Sequence, residues 1–587
     1  MPGWKIVGSF DCSLDITESA KSLLAHLRDT ENFRELWIDA ICINQEDEVE
    51  KTQQVNLMAD IYSRASKVIV WLGEADDKTN DAFEAMKILA HMDVQNASRH
   101  PAIEQARSLT GFFPWHLPHE DPFFLSKERW SAFQWLLQRP WFTRTWIFQE
   151  IVQARRAVVR CGDYEAPWKL LERACEVATT LEIPPLYLRV RGGIGALSMP
   201  SIMLQIPRFR EKIQQYRALQ SAEGAQSTPG KSQVLELLDA FDLDALVIAL
   251  RNQNSSDPRD KVFGVYSLCL PDISCEWLPR PDYRLSAREV YIKMAKYWIL
   301  NYGSVSLQVL SFVESFDSRE AWPGVQGLPS WVPDWSRPIS RELISYAALC
   351  DATPGKPSMA LVVEDCHEDQ TPRATTSATE KQKIQASPEL QQCCHCLKLT
   401  GVRVLQIHHI YETKLSKAMV AHLNTLPAKY PTTDLTYPEV YPRIVEPSRP
   451  EHFQVPTAHH QKEFWETLTN FNNEDDKATV SVYTKDDFKK FLSAEQRVAH
   501  IILGLDTRGM KSGRKVCITN GGFMGLAPSN ALVGDEVALL WGAAIPYWIR
   551  KDGNHYKLVG EAYVYGIMGG EVMEDLDESR VEEFLIC

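Results

Sequence analysis

Apolar residues recur along the first 165 positions at spacings that alternate between helix and strand. Ala20, Leu23, Leu24 and Leu27 lie at helical intervals behind Asp15-Ile-Thr-Glu18, a capping-box pattern, and predict a helix over about 16–29. Leu36-Trp-Ile38 is a short apolar run ending on Asp39 and predicts a buried strand. Val55, Met58, Ala59 and Tyr62 form a second helical stripe, and Val68-Ile-Val-Trp-Leu72, closed by Gly73, reads as the next strand. Two apolar strands flanking a helix are a βαβ unit. Its strands are expected to be parallel, in a sheet covered on both faces.

Residues 75 to about 128 interrupt this pattern with one helical stripe (Phe83, Met86, Leu89) and an aromatic stretch, Gly111–Trp115 and Pro122–Phe124, read as an insertion or lid. The pattern resumes at Arg139–Glu150, expected as a helix with Trp146, Glu150 and Ala154 on one face. A strand from Ala157 to Arg160 and a turn at Cys161-Gly-Asp163 follow. The organisation predicted is a first domain over 1–165, a mainly helical region over 166–350, a flexible excursion over 351–392 and a β-rich domain over 393–587. That last domain carries a polar insertion at about 412–495. Antiparallel strands are expected over 516–570, with turns near Gly534-Asp535 and Asp552-Gly553.

Composition narrows the function classes. The chain has 587 residues, and 63 basic against 77 acidic side chains give a net charge of −14, which supplies no global attraction to nucleic acid or anionic lipid. The longest nearly uninterrupted apolar run, Val537–Ile549, contains Pro546 and is shorter than the about 20 residues that span a bilayer. Met1–Phe10 lacks the basic head and apolar core of a secretory signal. No membrane span is expected, and the location expected is cytoplasmic. Thirteen scattered cysteines suit reduced thiols better than a disulfide framework.

Several catalytic patterns fail on their own chemistry. Gly230-Lys-Ser232 lacks the upstream glycine register and strand of a phosphate loop, and Gly193-Ile-Gly195 lacks the third glycine of a dinucleotide fingerprint. Cys393-Cys-His-Cys396, with Cys366-His367 upstream, offers zinc-type ligands, but adjacent ligands are not the spacing that wraps an ion, so no metal site is assigned. The stronger signals are Asp39, at the carboxyl end of an expected strand with Asn44 in the loop after it, and the pair Trp146 and Glu150, one helical turn apart. Each has an ordinary structural reading as well: a loop-fixing acid, an aromatic core anchor, and an acid paired with Arg139 or Arg144.

At these residues the chain resembles the fungal heterokaryon-incompatibility (HET) domain family. Leu36-Trp-Ile-Asp-Ala-Ile-Cys-Ile-Asn-Gln45 looks like the family signature, continued by Met58–Tyr62 and Val68–Gly73, and Arg139–Glu150 looks like its second block. Asp257-Pro-Arg-Asp-Lys-Val-Phe-Gly264, Pro281-Asp-Tyr283 and Leu328-Pro-Ser-Trp-Val-Pro-Asp-Trp335 are similar to segments that accompany the domain, as are Gly534–Pro546, Gly560-Glu561 and Gly566. The resemblance implies self/non-self recognition and programmed death of fused cells. The family usually opens with a strand that would end just before Met1-Pro-Gly-Trp4, so the domain is expected to lack it.

HET domains are in turn similar to Toll/interleukin-1 receptor (TIR) domains, and Trp146-Ile-Phe-Gln-Glu150 matches the TIR pattern of Trp, three residues, then Glu. This implies a TIR-like parallel sheet, with Glu150 as a catalytic carboxylate in cleavage of NAD and Trp146 beside it in the pocket; Asp39 and Asn44, at the carboxyl end of their expected strand, would line the same cleft. NAD would be the substrate, with no cofactor. The alternative is a non-enzymatic module that assembles with copies of itself or with a protein partner.

Overall fold

Thr17 rather than Asp15 opens the first helix. The computed structural model describes residues 4–7, 13–29, 31–93, 125–180, 206–207, 209–211, 213–215, 250–251, 253–266, 280–301, 303–313, 324–337, 352–356, 360–363, 395–412, 417–437, 440, 444, 514–574 and 576–587. In it β1 (Trp4–Val7) and β2 (Ser13–Ile16) form an antiparallel hairpin that holds Asp15 opposite Lys5. Capping passes two residues on, where Thr17 accepts a hydrogen bond from the Ala20 amide at 3.2 Å and α1 runs Glu18–Leu27.

The chain divides into two units, one of residues 1–192, 196–290 and 494–504, the other of 193–195, 291–493 and 505–587. In the first unit the strand expected at Leu36–Ile38 does not form; these residues belong to no ladder. Phe33 and Leu36 are exposed, and Trp37 meets the Tyr62 ring edge-on at 5.7 Å. A three-residue run whose one large ring docks on a helix has no apolar face left for a sheet. One turn of helix, α2 (Asp39–Cys42), follows directly. Helix α3 (Glu48–Arg64) is capped by Asp47, which accepts from the Val49 and Glu50 amides, and buries Val55 and Met58 as its stripe requires.

Strand β3 (Val68–Trp71) is followed by α4 (Thr79–His91) and α5 (Lys127–Leu137). The single helix expected over Arg139–Glu150 is split into a 3₁₀ turn, Pro140–Thr143, and α6 (Ile147–Gln153). Arg144 takes an extended conformation between them, with Trp146 at the N-cap of α6. Strand β4 (Ala157–Cys161) returns parallel to β3, Val68 opposite Ala157, and hairpins into antiparallel β5 (Tyr164–Pro167). The turn needs Gly162: its φ is +55°, and a Cβ there would lie 2.7 Å from that of Ala75. The sheet therefore has three strands in the order β3-β4-β5, with one parallel pair among the described residues. Helix α7 (Trp168–Thr180) packs on α4 and on β4 and β5. Helix α8 (Asp260–Tyr266) touches α6, and the boundary between the units falls within α9 (Ala287–Asn301).

The second unit is β-rich, as its short apolar runs predict. Strand β6 (Leu361–Val363) pairs with the start of β7 (Cys396–Glu412), a 17-residue strand that also pairs with β14, β10 and β8 along its length. Helix α10 (Lys417–Leu423) lies between β7 and the run β8 (Arg514–Thr519), β9 (Met524–Pro528), β10 (Glu536–Leu540), β11 (Tyr547–Asp552), β12 (His555–Glu561), β13 (Tyr563–Val564) and β14 (Glu582–Ile586). Since β10-β11-β12-β14-β7 leads back to β10, the sheet closes on itself. Closure passes through Gly401, where a Cβ would fall 2.2 Å from the Leu539 carbonyl oxygen. The expected turns stand at Gly534, just before β10, and at Gly553, between Asp552 and its partner His555. Ile407, Cys517, Val537, Trp548, Val559 and Val564 fill the interior, and Trp548 donates its indole N–H to the Leu526 carbonyl at 3.0 Å.

The reduced state expected of the cysteines is corrected at one pair. β14 runs antiparallel to β7 with Ile586 opposite Leu397, which brings Cys587 to Cys396, and the two form a disulfide. Cys396 therefore cannot serve a zinc cluster in this state. Cys366-His367, Cys393-Cys394, Gly230–Ser232, Gly193–Gly195, Gly111–Trp115 and Pro122–Phe124 lie outside the described residues. No helix among the described residues is long and apolar enough to cross a membrane.

Candidate functional site

A guanidinium joins the two sequence blocks. Asp39, the first residue of α2, accepts from its own neighbour's amide, that of Ala40, at 2.8 Å and from Arg144 Nη2 at 2.9 Å. Arg144 Nη1 stands 3.4 Å from Glu150 Oε1, and Trp141 Nε1 donates to Glu150 Oε2 at 3.0 Å. Arg144 can reach both acids because its extended backbone projects it between the 3₁₀ turn and α6. The residue is half-exposed, whereas Glu150 is 5% exposed. Trp141 is itself seated edge-on against Trp168 at 5.7 Å.

Burial pushes the Glu150 carboxyl up from its ordinary range, against the Arg144 charge; Asp39 adds to the rise and the Trp141 bond opposes it. The same carboxylate, Glu150, raises Arg144 further. Tyr62, on α3, has its phenol pushed well above its ordinary value by burial and then by Glu150 and Asp39. The group is thus a buried acid, a shared cation and a phenol that stays neutral.

A second network braces it. Thr145 N donates to the Asn254 carbonyl at 3.0 Å, and Trp146 hydrogen-bonds Asp260, which also accepts from Tyr283 Oη at 2.6 Å. Lys261 Nζ donates to the carbonyls of Leu250, Arg251 and Gln253. Tyr283 N in turn donates to Thr52 Oγ1 on α3 at 3.0 Å, and Lys51 lies 4.1 Å over the Tyr283 ring.

Residues 5–150 of the chain match the family described as Heterokaryon incompatibility protein (HET), and residues 444–586 match the Het-6 beta-barrel domain. Heterokaryon incompatibility protein 6, OR allele, of Neurospora crassa is 25% identical over 644 aligned positions that cover 98% of this chain and 87% of that protein. Residues 5–150 thus carry a HET domain. No solved structure matches it.

The HET domain brings three of the four residues singled out in the sequence to one region, in two layers. Asp39 and Glu150 meet at Arg144; Trp146 turns to Asp260 instead. Asn44 joins neither group. It is exposed, its side chain accepts from the Glu46 amide at 3.1 Å, and its own amide donates to Glu50 Oε1, so it fastens the turn into α3. Of the two arginines named as partners for Glu150, it is Arg144 that pairs. Arg139 donates to the Glu74 carbonyl at 2.8 Å and stacks on Trp135. Sequence reasoning missed Tyr62 and Trp141 as neighbours of Glu150. The helical stripe carrying Tyr62 is a signal for the first; nothing in the spacing marks the second.

Asp260 gives the HET domain a titration that can be measured. Burial pushes its carboxyl up to about 6, against the bonds from Tyr283 and Trp146. A carboxyl raised in the folded state binds its proton more tightly there than when unfolded, so its stabilising contribution is full below its ordinary value and is lost as pH rises through about 6. Asp260→Asn should therefore flatten the fall in stability between pH 4 and 7 by about 2–3 kcal/mol relative to the unsubstituted chain. Urea denaturation of both proteins at the two pH values reads the difference, and parallel pH profiles would reject the assignment. The neighbouring Lys261 is drawn down towards about 7 by burial and Arg251, while its three carbonyl partners accept all three ammonium protons and favour the charged form.

Proposed function

We propose that the chain acts in fungal self/non-self recognition, triggering programmed death of fused cells from the cytoplasm, and that its HET domain does so by cleaving the glycosidic bond of NAD or a related nucleotide. The observation that carries the chemical part is Glu150: a carboxylate withdrawn from water, raised in its proton affinity and met by Arg144 and, through it, by Asp39 from the other sequence block. Loss of nicotinamide leaves positive charge on the ribose. A fixed carboxylate that hydrogen-bonds the ribose hydroxyls stabilises that charge as it develops. NAD is here the substrate, and the chemistry calls for no cofactor. The parallel β3–β4 pair, with α6 leading into β4, supports a TIR-like ancestry for the domain.

The test is incubation of the purified chain with NAD and detection of free nicotinamide. Glu150→Gln keeps the side-chain volume and removes the charge, and turnover should fall about 10²–10³-fold with folding retained. Death on expression should vanish with it. Turnover undiminished in the variant would exclude Glu150 as the catalytic group.

A second reading has its own support. Both Glu150 oxygens are already engaged, by Trp141 and by Arg144. Such a clasp suits a module that works by assembling with copies of itself or with a protein partner, Glu150 then being structural. Under that reading neither form releases nicotinamide, and Glu150→Gln still kills.

A further inference from the structure

Gln149 sits next to Glu150 on α6 and is 1% exposed, yet neither its amide oxygen nor its amide nitrogen has a hydrogen-bond partner among the described residues. The other α6 residues away from Glu150 and Gln153 are Ile147, Phe148, Ile151 and Val152, all buried and apolar. A methionine would fill the place of Gln149 without stranding buried hydrogen-bonding atoms. Among the described residues nothing repays the desolvation cost of this amide. Residues kept against stability in this way concentrate where function needs them.

Position says what the function is. Gln149 stands three residues after Trp146 and four before Gln153 on α6, so the unpaired amide lies along the helix next to the face that carries the candidate carboxylate. We infer that Gln149 is the specificity residue of this site and reads a primary carboxamide on a planar heteroaromatic base, the nicotinamide end of an NAD-type substrate. The inference rests on the NAD reading of the domain.

Two amides are complementary in plane: each has a carbonyl that accepts and an N–H that donates, so they pair at two points. A carboxylate in the same place has no donor for the Gln149 oxygen, and it would stand beside the Glu150 charge. The acid form of the base is thereby rejected, as sites built around buried polar groups reject partners that leave those groups unpaired. Among the described residues Gln149 makes no such bond, and a carboxamide ligand would supply two.

The experiment compares NAD with nicotinic acid adenine dinucleotide as substrates of the full chain, with Gln149→Met and Gln149→Glu as variants. The unsubstituted chain should prefer the amide dinucleotide at least tenfold in kcat/KM. Both variants should lose that preference through a raised KM for NAD, while Gln149→Met holds or raises the thermal midpoint. A folded Gln149→Met protein that keeps the full preference overturns the inference and leaves the NAD reading standing.

If no form of the chain cleaves NAD, that reading fails separately, and nicotinamide alone becomes the probe. Thermal protection of the unsubstituted chain by nicotinamide, lost in Gln149→Met, supports the inference. Absence of protection, together with a lowered midpoint in Gln149→Met, marks an amide satisfied by trapped water and overturns it.

Discussion

Arg514→Met should lower the stability of the C-terminal sheet by about 3–5 kcal/mol, among the largest single-residue effects expected in this chain. Arg514 Nη2 lies 2.8 Å from Glu561 Oε2, and neither side chain is exposed to any degree. The two reach each other from β8 and β12, across 47 positions of sequence. Methionine preserves most of the arginine stem, so the loss reports the carboxylate left buried without its guanidinium rather than a cavity. Replacing both partners, Arg514→Met with Glu561→Leu, removes the stranded charge and should recover most of the stability, because two ions no longer have to be withdrawn from water. Urea denaturation of the full chain, with amide hydrogen exchange read on β8 and β12, measures both. A single substitution costing under about 1 kcal/mol would mean that water reaches the pair.

Loss of the Cys396–Cys587 disulfide should be of similar size. The bond closes a loop over a separation of 191 residues, and cross-links spanning long loops remove the most freedom from the unfolded chain, so about 2–5 kcal/mol is expected from Cys587→Ser or from reduction with dithiothreitol. The reduced protein should stay folded. β14 keeps its ladder to β7, Phe584 and Ile586 remain in the core, and Ser330 still donates from its amide and hydroxyl to the Cys587 carbonyl. Denaturation midpoints with and without reductant give the stability change, and peptide mapping under non-reducing conditions gives the partner. A bridge from Cys587 to Cys393 or Cys394 would reject the pairing, as would identical midpoints in the two redox states.

Where a segment's own pattern decides its structure, reading the chain locally succeeds. The stripe Val55, Met58 and Tyr62 is a helix, Val68–Trp71 and Ala157–Arg160 are strands, and the runs after residue 393 are the strands of a β-rich unit with turns at the expected glycines. It fails where two structures suit the same few residues. Leu36-Trp-Ile38 has the composition of a strand, but its tryptophan rests on a helix, and three residues are too few to outweigh that contact. Asp15-Ile-Thr-Glu18 has the letters of a capping box, but the hairpin takes Asp15 first.

The site divides along the same line. Trp146 and Glu150 are one turn apart in any helix, and Asp39 is the acid that ends its apolar run, so the sequence by itself marks these residues as candidates. Which groups they meet is decided only by the tertiary fold. Asp39 and Arg144 are 105 positions apart and join because the folded chain brings α2 beside the segment that follows the 3₁₀ turn. Cys396 and Cys587 meet because β14 adds to β7 in one register. The unpaired amide of Gln149 is likewise a property of its surroundings, since an exposed glutamine at the same position would bond to water. Hydrophobic periodicity records which side of an element is buried. It carries no record of the partner across the core, and charge pairing, cross-linking and the satisfaction of a buried amide all depend on that partner.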